Sequence, residues 1–274
     1  MGSLHLMCSL GEREDGSGQM MVNPDLLPHL LVGGAAGQGK SSLLNNIVLE
    51  LMEGYSPEVV RFYLFDPSQV EFLMFNDMPH LDRPVITDSK MFMLELERLE
   101  TEIERRLSMF AKAKCRCLFD FNMRTNPASD GFPRSLPYII VVADDVSELM
   151  CDNGERVTSC IRRLTARARA AGIHLIFSVR NMDQVTMRGL SVNMFPARVT
   201  FQTWSGPDSV AVIGTEDAML LKNPGDFIYR RGVDKTIRGR SILVSCQKSL
   251  EKLNLLKEKY VPKSTQTEGV RFWQ

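Results

Sequence analysis

The feature that most constrains this chain is an eight-residue segment, Gly34 to Ser41, which fits the pattern G-x-x-x-x-G-K-[ST]. Glycines in such a segment let successive backbone N–H groups point inward, where together they bind an anion. Residues 29–32 before it predict a buried strand, and residues 42–48 after it predict an amphipathic helix whose positive N-terminal end faces the anion. The combination predicts a loop that wraps a nucleotide's phosphates. A glycine-rich turn without a ligand is the alternative.

We call residues 34–41 the phosphate loop, and its pattern assigns separate roles to two side chains. Lys40 is expected to reach the β- and γ-phosphates, and the Ser41 hydroxyl is expected to bind Mg²⁺. The expected ligand is therefore ATP or GTP together with Mg²⁺. The predicted nucleotide-binding residues are Gly34, Ala35, Ala36, Gly37, Gln38, Gly39, Lys40, Ser41 and Ser42.

The charge balance of the chain limits how it can bind nucleic acid. Lys and Arg total 33, Asp and Glu also total 33, and the net charge is zero. Any nucleic-acid surface must therefore be a local patch rather than a general positive field. No apolar run approaches the roughly 20 residues that cross a bilayer, and no signal peptide is evident. We expect a cytoplasmic protein, with any membrane recruitment supplied by a separate anchor.

Segments typical of strands and helices alternate along the chain, which predicts an α/β sheet covered on both faces. Strands are predicted over residues 59–65, 137–143, 173–179 and 198–203. Helices are predicted over residues 89–114, 155–170 and 248–260, and a hairpin at the sheet edge is predicted from residues 226–229 and 241–244. No linker separates these elements, so residues 1–247 are predicted to form one ATPase domain. Residues 248–274 are predicted to add a short helix and a loose tail.

Two of the predicted helices are strongly charged. The first has an apolar stripe and a charged face, on which Glu102 and Arg106 make a favourable i,i+4 pair. Most of the charges on that face are expected to be solvated. The helix predicted over residues 155–170 carries five arginines.

Two acidic residues follow the apolar strand predicted over residues 137–143. Ligands of open α/β sheets gather at the carboxyl ends of strands, so Asp144 is expected to hold the magnesium shell. The alternative is an aspartate that only ends a strand or caps the next helix. Asp145 is the next candidate, as the base or orienter of the attacking water, for which a carboxylate needs hydrogen-bond reach.

Two arginines are candidates for stabilising charge on the γ-phosphate. Arg180 follows the strand predicted over residues 173–179, and an ordinary solvated arginine is an equal alternative. Arg198 stands at the start of a strand and is a candidate for a finger donated to a neighbouring subunit's nucleotide. A surface arginine at a strand start is the alternative for Arg198.

With these residues in view, the chain resembles the motor domain of the FtsK/SpoIIIE DNA translocases from about Leu10 to Val244. The resemblance rests on a series of short segments in a fixed order. They are residues 28–32 before the phosphate loop, 66–67 with 70–72, 78–81, 84–88, 102–106, 137–142, 168–175, 193–198, 208–209 and 225–226.

The resemblance implies a RecA-like P-loop ATPase with a mostly parallel central sheet flanked by helices and a C-terminal edge hairpin. It implies ATP and Mg²⁺ as cofactors and assembly as a homo-hexameric ring. It also implies that the partner is double-stranded DNA, gripped non-specifically through its phosphates. Residues 76–83 and 183–189 are candidate pore loops. No membrane segment is expected in this chain.

The chain departs from the family pattern where chemistry is expected. The family usually has Asp-Glu where this chain has Asp144-Asp145, which retracts the second carboxylate by about 1.5 Å. Misplacement on that scale can cost on the order of 10²-fold in rate. The family's Thr-Gln-Arg-Pro sensor is replaced by residues 179–182. We therefore expect a DNA-translocating ATPase. The alternatives are a hydrolysis-poor nucleotide-binding regulatory subunit and a secretion-type ring ATPase that acts on protein.

Overall fold

The computed structural model describes residues 6–24, 28–124, 131–180, 182–183, 187, 190–191, 193–242, 244 and 246–260. The strands are β1 Cys8–Arg13, β2 Gln19–Val22, β3 His29–Gly33, β4 Val60–Phe65, β5 Tyr138–Ala143, β6 Ile173–Ser178, β7 Ala197–Phe201, β8 Asp226–Arg231 and β9 Ile237–Arg240. The helices are α1 Lys40–Gly54, α2 Ser89–Lys112, α3 Leu118–Asn122, α4 Ser147–Ala171, α5 Gly206–Ile213 and α6 Cys246–Tyr260. Short 3-10 turns lie at Leu73–Phe75 and Asp217–Leu220.

These strands form one sheet in the order β2-β1-β9-β8-β7-β3-β6-β5-β4. The five strands from β7 to β4 run parallel. The remaining pairs, at the other end of the sheet, are antiparallel. Strands β5 and β6 are buried along their whole length, because a parallel sheet is covered by helices on both faces. The predicted α/β fold is confirmed.

Alternate side chains of the parallel strands point into two separate cores. On one face, Ile140 and Val142 of β5 join a core that includes Ile47 and Leu51 of α1. On the other face, the β5 residues Ile139 and Val141 join a core built with α2 and α4. The phosphate loop leaves β3 and enters α1 on the first of these faces, so the loop is held by a strand and a helix that are both anchored in a core.

The predicted hairpin forms, but its second strand and its position need correction. Strand β9 lies at residues 237–240 rather than 241–244, because the chain turns back directly after β8, at Gly232 with φ 51°. Nor does the hairpin lie at the sheet edge. Strand β9 also pairs with β1, and β2 beyond it is the outer strand at this end.

The predicted helices all form, and α1 and α4 extend well beyond their predicted bounds. Helix α4 begins at Ser147 rather than residue 155, so it runs through Gly154. Glycine inside a helix costs roughly 0.5–1 kcal/mol relative to alanine. Burial of Leu149 and Met150, 1% and 0% exposed, outweighs this cost because packing overrides helix propensity.

The arginines of α4 pair with the glutamates of α2 across the helix interface. Arg156 bonds Glu97 at 2.7 Å and Arg163 bonds Glu100 at 2.9 Å, and Arg167 pairs with Glu104. These three ion pairs neutralise much of the positive charge of α4. Three of the five arginines predicted on this helix therefore face acidic partners on α2.

Arg106 is an exception to the expectation that most charges on this face of α2 are solvated. Its side chain is 2% exposed, and its guanidinium donates to the carbonyls of Pro137 at 2.8 Å and Ala171 at 2.9 Å. The expected pair with Glu102 forms at 2.7 Å. Burial lowers the pKa of Arg106, and the Glu102 carboxylate opposes this shift. Arg106 therefore joins α2 to the start of β5 and the end of α4.

Helix α6 packs on the sheet domain through Leu253 and Leu256, which join the core shared with α1. Lys252 of α6 also pairs with Glu53 of α1 at 2.9 Å. The predicted boundary after residue 247 stays a prediction, and the predicted loose tail at residues 261–274 lies outside the described residues. Among the described residues, no helix combines the length and apolar character that crossing a membrane requires.

Candidate nucleotide-binding site

The phosphate loop is shaped by glycines that no other residue replaces easily. Gly34 follows β3 with φ 140°, and a Cβ there would lie 2.8 Å from the Cβ of Phe201 in β7. Gly39 has φ 120° and precedes α1 directly. Side chains are disfavoured at such φ values. The loop can therefore pass close to β7 and turn into α1 with its backbone facing inward.

Lys40 places a buried cation inside this loop. Its ammonium donates to the carbonyls of Gly34 at 2.6 Å and Ala35 at 2.8 Å, and the residue is 6% exposed. Burial lowers the pKa of Lys40 to about 8; the nearby Arg180 also lowers it, and Asp144 and Asp145 oppose the shift. The ammonium thus lies inside the loop, and its contact with the β- and γ-phosphates stays a prediction.

The predicted magnesium residues are in direct contact. The Ser41 hydroxyl donates to Oδ2 of Asp144 at 2.9 Å, and the Ser178 hydroxyl donates to Oδ1 at 2.6 Å. Asp144 is 5% exposed at the carboxyl end of β5. A hydroxyl and a carboxylate are hard oxygen ligands of the kind that Mg²⁺ takes alongside phosphates and water. The donor set therefore fits Mg²⁺.

Asp145 has a strained backbone and a carboxylate that faces Arg180. Its φ is 56°, a left-handed conformation that costs on the order of 1–3 kcal/mol for a non-glycine residue. Its N–H donates to the Ser178 hydroxyl at 2.8 Å, and its Oδ1 accepts from the N–H of Ser147 at 3.2 Å and of Arg180 at 3.3 Å. Oδ2 of Asp145 lies 3.4 Å from Nε of Arg180.

Arg180 lies beside the loop, at the carboxyl end of β6. Its side chain is 58% exposed, and it is close enough to lower the pKa of Lys40. The structure therefore brings Arg180, Lys40, Asp144 and Asp145 to one edge of the parallel strands. Catalytic roles for Arg180 and Asp145 stay predictions.

Arg198 is not at the surface, which corrects the expectation of an arginine donated to a neighbour. The residue is 5% exposed. Its guanidinium donates to the carbonyls of Val212 at 2.8 Å, Leu190 at 3.0 Å and Phe195 at 3.1 Å. Burial, with Arg230 as a second cause, lowers its pKa to about 10. The alternative of a surface arginine at a strand start is also wrong, because β7 lies inside the sheet and Arg198 bonds the chain around it.

One acidic residue beside the site was assigned no chemistry from the sequence. Glu71 accepts a hydrogen bond from the Asn45 amide of α1 at 3.3 Å. Burial is the largest cause that raises the pKa of Glu71, and the charges of Asp144 and Asp66 raise it further. The neighbouring Ser41 hydroxyl and Asn45 amide oppose this shift. The sequence contained a feature that could have identified Glu71. The residue follows a strand of the parallel sheet, and ligands gather at the carboxyl ends of such strands.

Of the two candidate pore loops, only residues 76–83 lie entirely within the described part of the chain. Residues 76–83 lie along the outer strand β4, where the N–H of Phe62 donates to the His80 carbonyl at 2.8 Å. Within the segment His80 is 0% exposed, and Arg61 bonds the Pro79 carbonyl at 2.7 Å. A pore role here stays a prediction. Most of residues 183–189 lie outside the described part of the chain.

A glycine-rich loop between β3 and α1, with its serine bonded to an aspartate at the end of β5, defines a RecA-like P-loop NTPase. Within that class, the chain matches the FtsK/SpoIIIE family over residues 8–184 and belongs to it. The predicted resemblance is therefore confirmed.

Two relatives, each a DNA translocase FtsK, support this assignment. The chain is 36% identical to DNA translocase FtsK of Lactiplantibacillus plantarum over 249 residues, which cover 89% of this chain and 31% of the relative. It is also 36% identical to DNA translocase FtsK of Staphylococcus aureus over 224 residues, which cover 80% of this chain and 28% of the relative. The chain thus spans about a third of the length of these relatives.

Solved structures show the same fold. The pCW3 conjugation coupling protein TcpA, in its monomer form with ATPγS, matches with a TM-score of 0.78 and 23% identity over 93% of this chain and 71% of that one. The cytoplasmic domain of EccC, a type VII secretion ATPase of Thermomonospora curvata, matches with a TM-score of 0.78 and 23% identity over 92% of this chain and 31% of that one.

Proposed function

We propose that this chain is the ATPase motor domain of a DNA translocase, which couples ATP hydrolysis to movement of double-stranded DNA in a homo-hexameric ring. The observation that carries the proposal is the hydrogen bond between Ser41 and Asp144. It joins the phosphate loop to the acidic end of β5 in a chain of the FtsK/SpoIIIE family. The relatives named DNA translocase FtsK support DNA as the substrate.

In this proposal the phosphate loop and Ser42 hold the triphosphate through backbone N–H groups and through Lys40. The Lys40 ammonium, which bonds two loop carbonyls, exchanges those partners for phosphate oxygens. Ser41 and Asp144 hold Mg²⁺, which neutralises charge on the β- and γ-phosphates when bound. Arg180 is the candidate for charge developing on the γ-phosphate. Asp145 as orienter of the attacking water stays a prediction, because its carboxylate already faces Arg180.

DNA is proposed to be held through its phosphates, with an affinity that falls steeply with salt. The arginines at positions 156, 163 and 167 are paired with glutamates of α2, so α4 is not proposed as the DNA surface. With a net charge of zero, the proposed DNA surface is a local basic patch on each subunit, and a ring brings equivalent patches together.

The test is ATP turnover by the purified chain, measured with and without long duplex DNA. We expect Mg-ATP binding in calorimetry and turnover that rises with DNA. Lys40→Ala should remove both, whereas Lys112→Ala at the far end of α2 should leave both unchanged. Absence of hydrolysis at every DNA concentration would contradict the motor.

A second candidate is a hydrolysis-poor, nucleotide-binding regulatory subunit. It is favoured by one observation, the ion pair that holds the Asp145 carboxylate against Arg180. This candidate predicts tight Mg-ATP binding with negligible ATP turnover. Turnover restored by Asp145→Glu with Arg180→Gln would support it, and a double variant as slow as the parent would count against it.

A further inference from the structure

Two carboxylates from different parts of the chain lie beside Ser41, Asp144 at the end of β5 and Glu71 beyond β4, and Asn45 lies one turn further along α1 from Ser41. Asp144 uses one oxygen for Ser41 and the other for Ser178. Asn45 reaches Glu71 with a long hydrogen bond of 3.3 Å. Glu71 is therefore a second carboxylate on the metal side of the proposed site.

The position of Glu71 is built by a buried aspartate. Asp66, 0% exposed at the end of β4, accepts hydrogen bonds from the N–H of Glu71 at 2.8 Å and of Phe72 at 2.9 Å. Its other oxygen accepts from the Ser68 hydroxyl at 2.6 Å. Phe72 itself is 0% exposed in the core shared with α1. The backbone on both sides of Glu71 is thus fixed, which is what a residue that positions a reacting group requires.

Asp145 is placed differently from Glu71. Its carboxylate accepts two backbone N–H groups and pairs with the Arg180 guanidinium. Its side chain is also one methylene shorter than that of Glu71. Of the two, Glu71 carries the carboxylate that lies against Ser41 and Asn45 with no arginine partner among the described residues.

We propose that Glu71, rather than Asp145, orients the water that attacks the γ-phosphate and accepts its proton. This rests on the proposed function of the loop as an Mg-ATP site. The water oxygen forms a bond to the γ-phosphorus, and the bond from that phosphorus to the β–γ bridging oxygen breaks, leaving its electron pair on ADP. The water proton passes to the Glu71 carboxylate and from there to solvent. The products are ADP and inorganic phosphate.

The test compares Glu71→Gln with Asp145→Asn and with a matched control, Glu53→Gln. Glutamine keeps an oxygen that accepts from Asn45 but has no carboxylate charge. Glu53 lies at the far end of α1 and pairs with Lys252. A positioned base contributes about 10²–10⁴-fold. We therefore expect Glu71→Gln to lower kcat at least about 100-fold with Mg-ATP affinity within about threefold of the parent. Asp145→Asn should lower kcat by a smaller factor, and Glu53→Gln should have the same kcat and Mg-ATP affinity as the parent.

A measurement without nucleotide separates this role from a structural one. Loss of one of three neighbouring carboxylates relieves repulsion, so nucleotide-free Glu71→Gln should unfold at a temperature equal to or above that of the parent. A lower Tm, or parallel loss of Mg-ATP affinity and kcat, would assign Glu71 to structure and overturn the inference. So would a kcat within about threefold of the parent. A parent chain that binds no Mg-ATP would instead remove the proposed function, and this inference with it.

Discussion

Two charged regions of this protein follow opposite rules. On α2 and across its interface with α4, the acidic side chains face arginines, as in the pair of Arg106 with Glu102 within α2 and of Arg163 with Glu100 between the helices. At the carboxyl end of the parallel strands, Asp66, Glu71 and Asp144 lie close enough that the first and last raise the pKa of the second. Charged side chains that stabilise the fold are paired with opposite charges. Carboxylates held close to one another instead indicate a site that binds cations.

The largest effect is expected where a compensated charge is buried. Arg106→Met should destabilise the protein by about 3–5 kcal/mol, because it leaves the buried carbonyls of Pro137 and Ala171 without their donor and removes the buried one of the two arginines that pair with Glu102. Urea unfolding measures the change. Arg105→Met, which removes the more exposed partner of the same glutamate, should cost under about 1 kcal/mol. Equal losses of stability in the two variants would contradict the distinction between the buried and the exposed arginine.

At the site, removal of a carboxylate should affect function rather than stability. Asp144→Asn should weaken Mg-ATP binding about 100-fold, which corresponds to about 2.7 kcal/mol, while the free energy of unfolding without nucleotide stays the same or rises. Calorimetry with Mg²⁺, and with EDTA as the control, measures the first part. A stability loss as large as that of Arg106→Met would show that Asp144 serves the fold instead.

The buried ammonium of the loop predicts a pH dependence of stability. The pKa of Lys40 is about 8 in the folded protein and 10.5 when unperturbed. Between these values the unfolded chain holds a proton that the folded protein has released. Stability should therefore rise with pH across this window, by at most about 1.4 kcal/mol per pH unit. The rise should be absent in Lys40→Met. Unfolding curves of both proteins from pH 7 to 11 check the difference.

The smallest effect is expected for the exposed pairs between α2 and α4. A double-mutant cycle on Arg163 and Glu100 should give a coupling of about 0.2–1 kcal/mol that shrinks in high salt, because both side chains remain partly solvated. Neither single variant should change DNA affinity by more than about twofold. A loss of DNA binding in Arg163→Met, with no loss in the Glu100 variant, would instead indicate that α4 contacts DNA.

Local patterns accounted for most of the fold. The strands of the parallel part were predicted to within two residues, since each is a short apolar run stopped by polar or turn residues. The helix starting at Ser89 was predicted for a similar reason, its regular apolar stripe. Helix α4 was predicted to begin at residue 155, and only the burial of Leu149 and Met150 in the core shows why it begins at Ser147.

What the sequence determined by itself is the phosphate loop, because eight consecutive residues contain the whole anion-binding backbone and its lysine. Only the tertiary structure decided which distant side chains belong with it. Strand order brings Glu71 and Asp144 beside Ser41 although 73 positions separate them along the chain, and it buries Arg198 inside the sheet. The role of a side chain depends on which strands are neighbours in the sheet and on which face of the sheet the residue lies. No local sequence pattern contains that information.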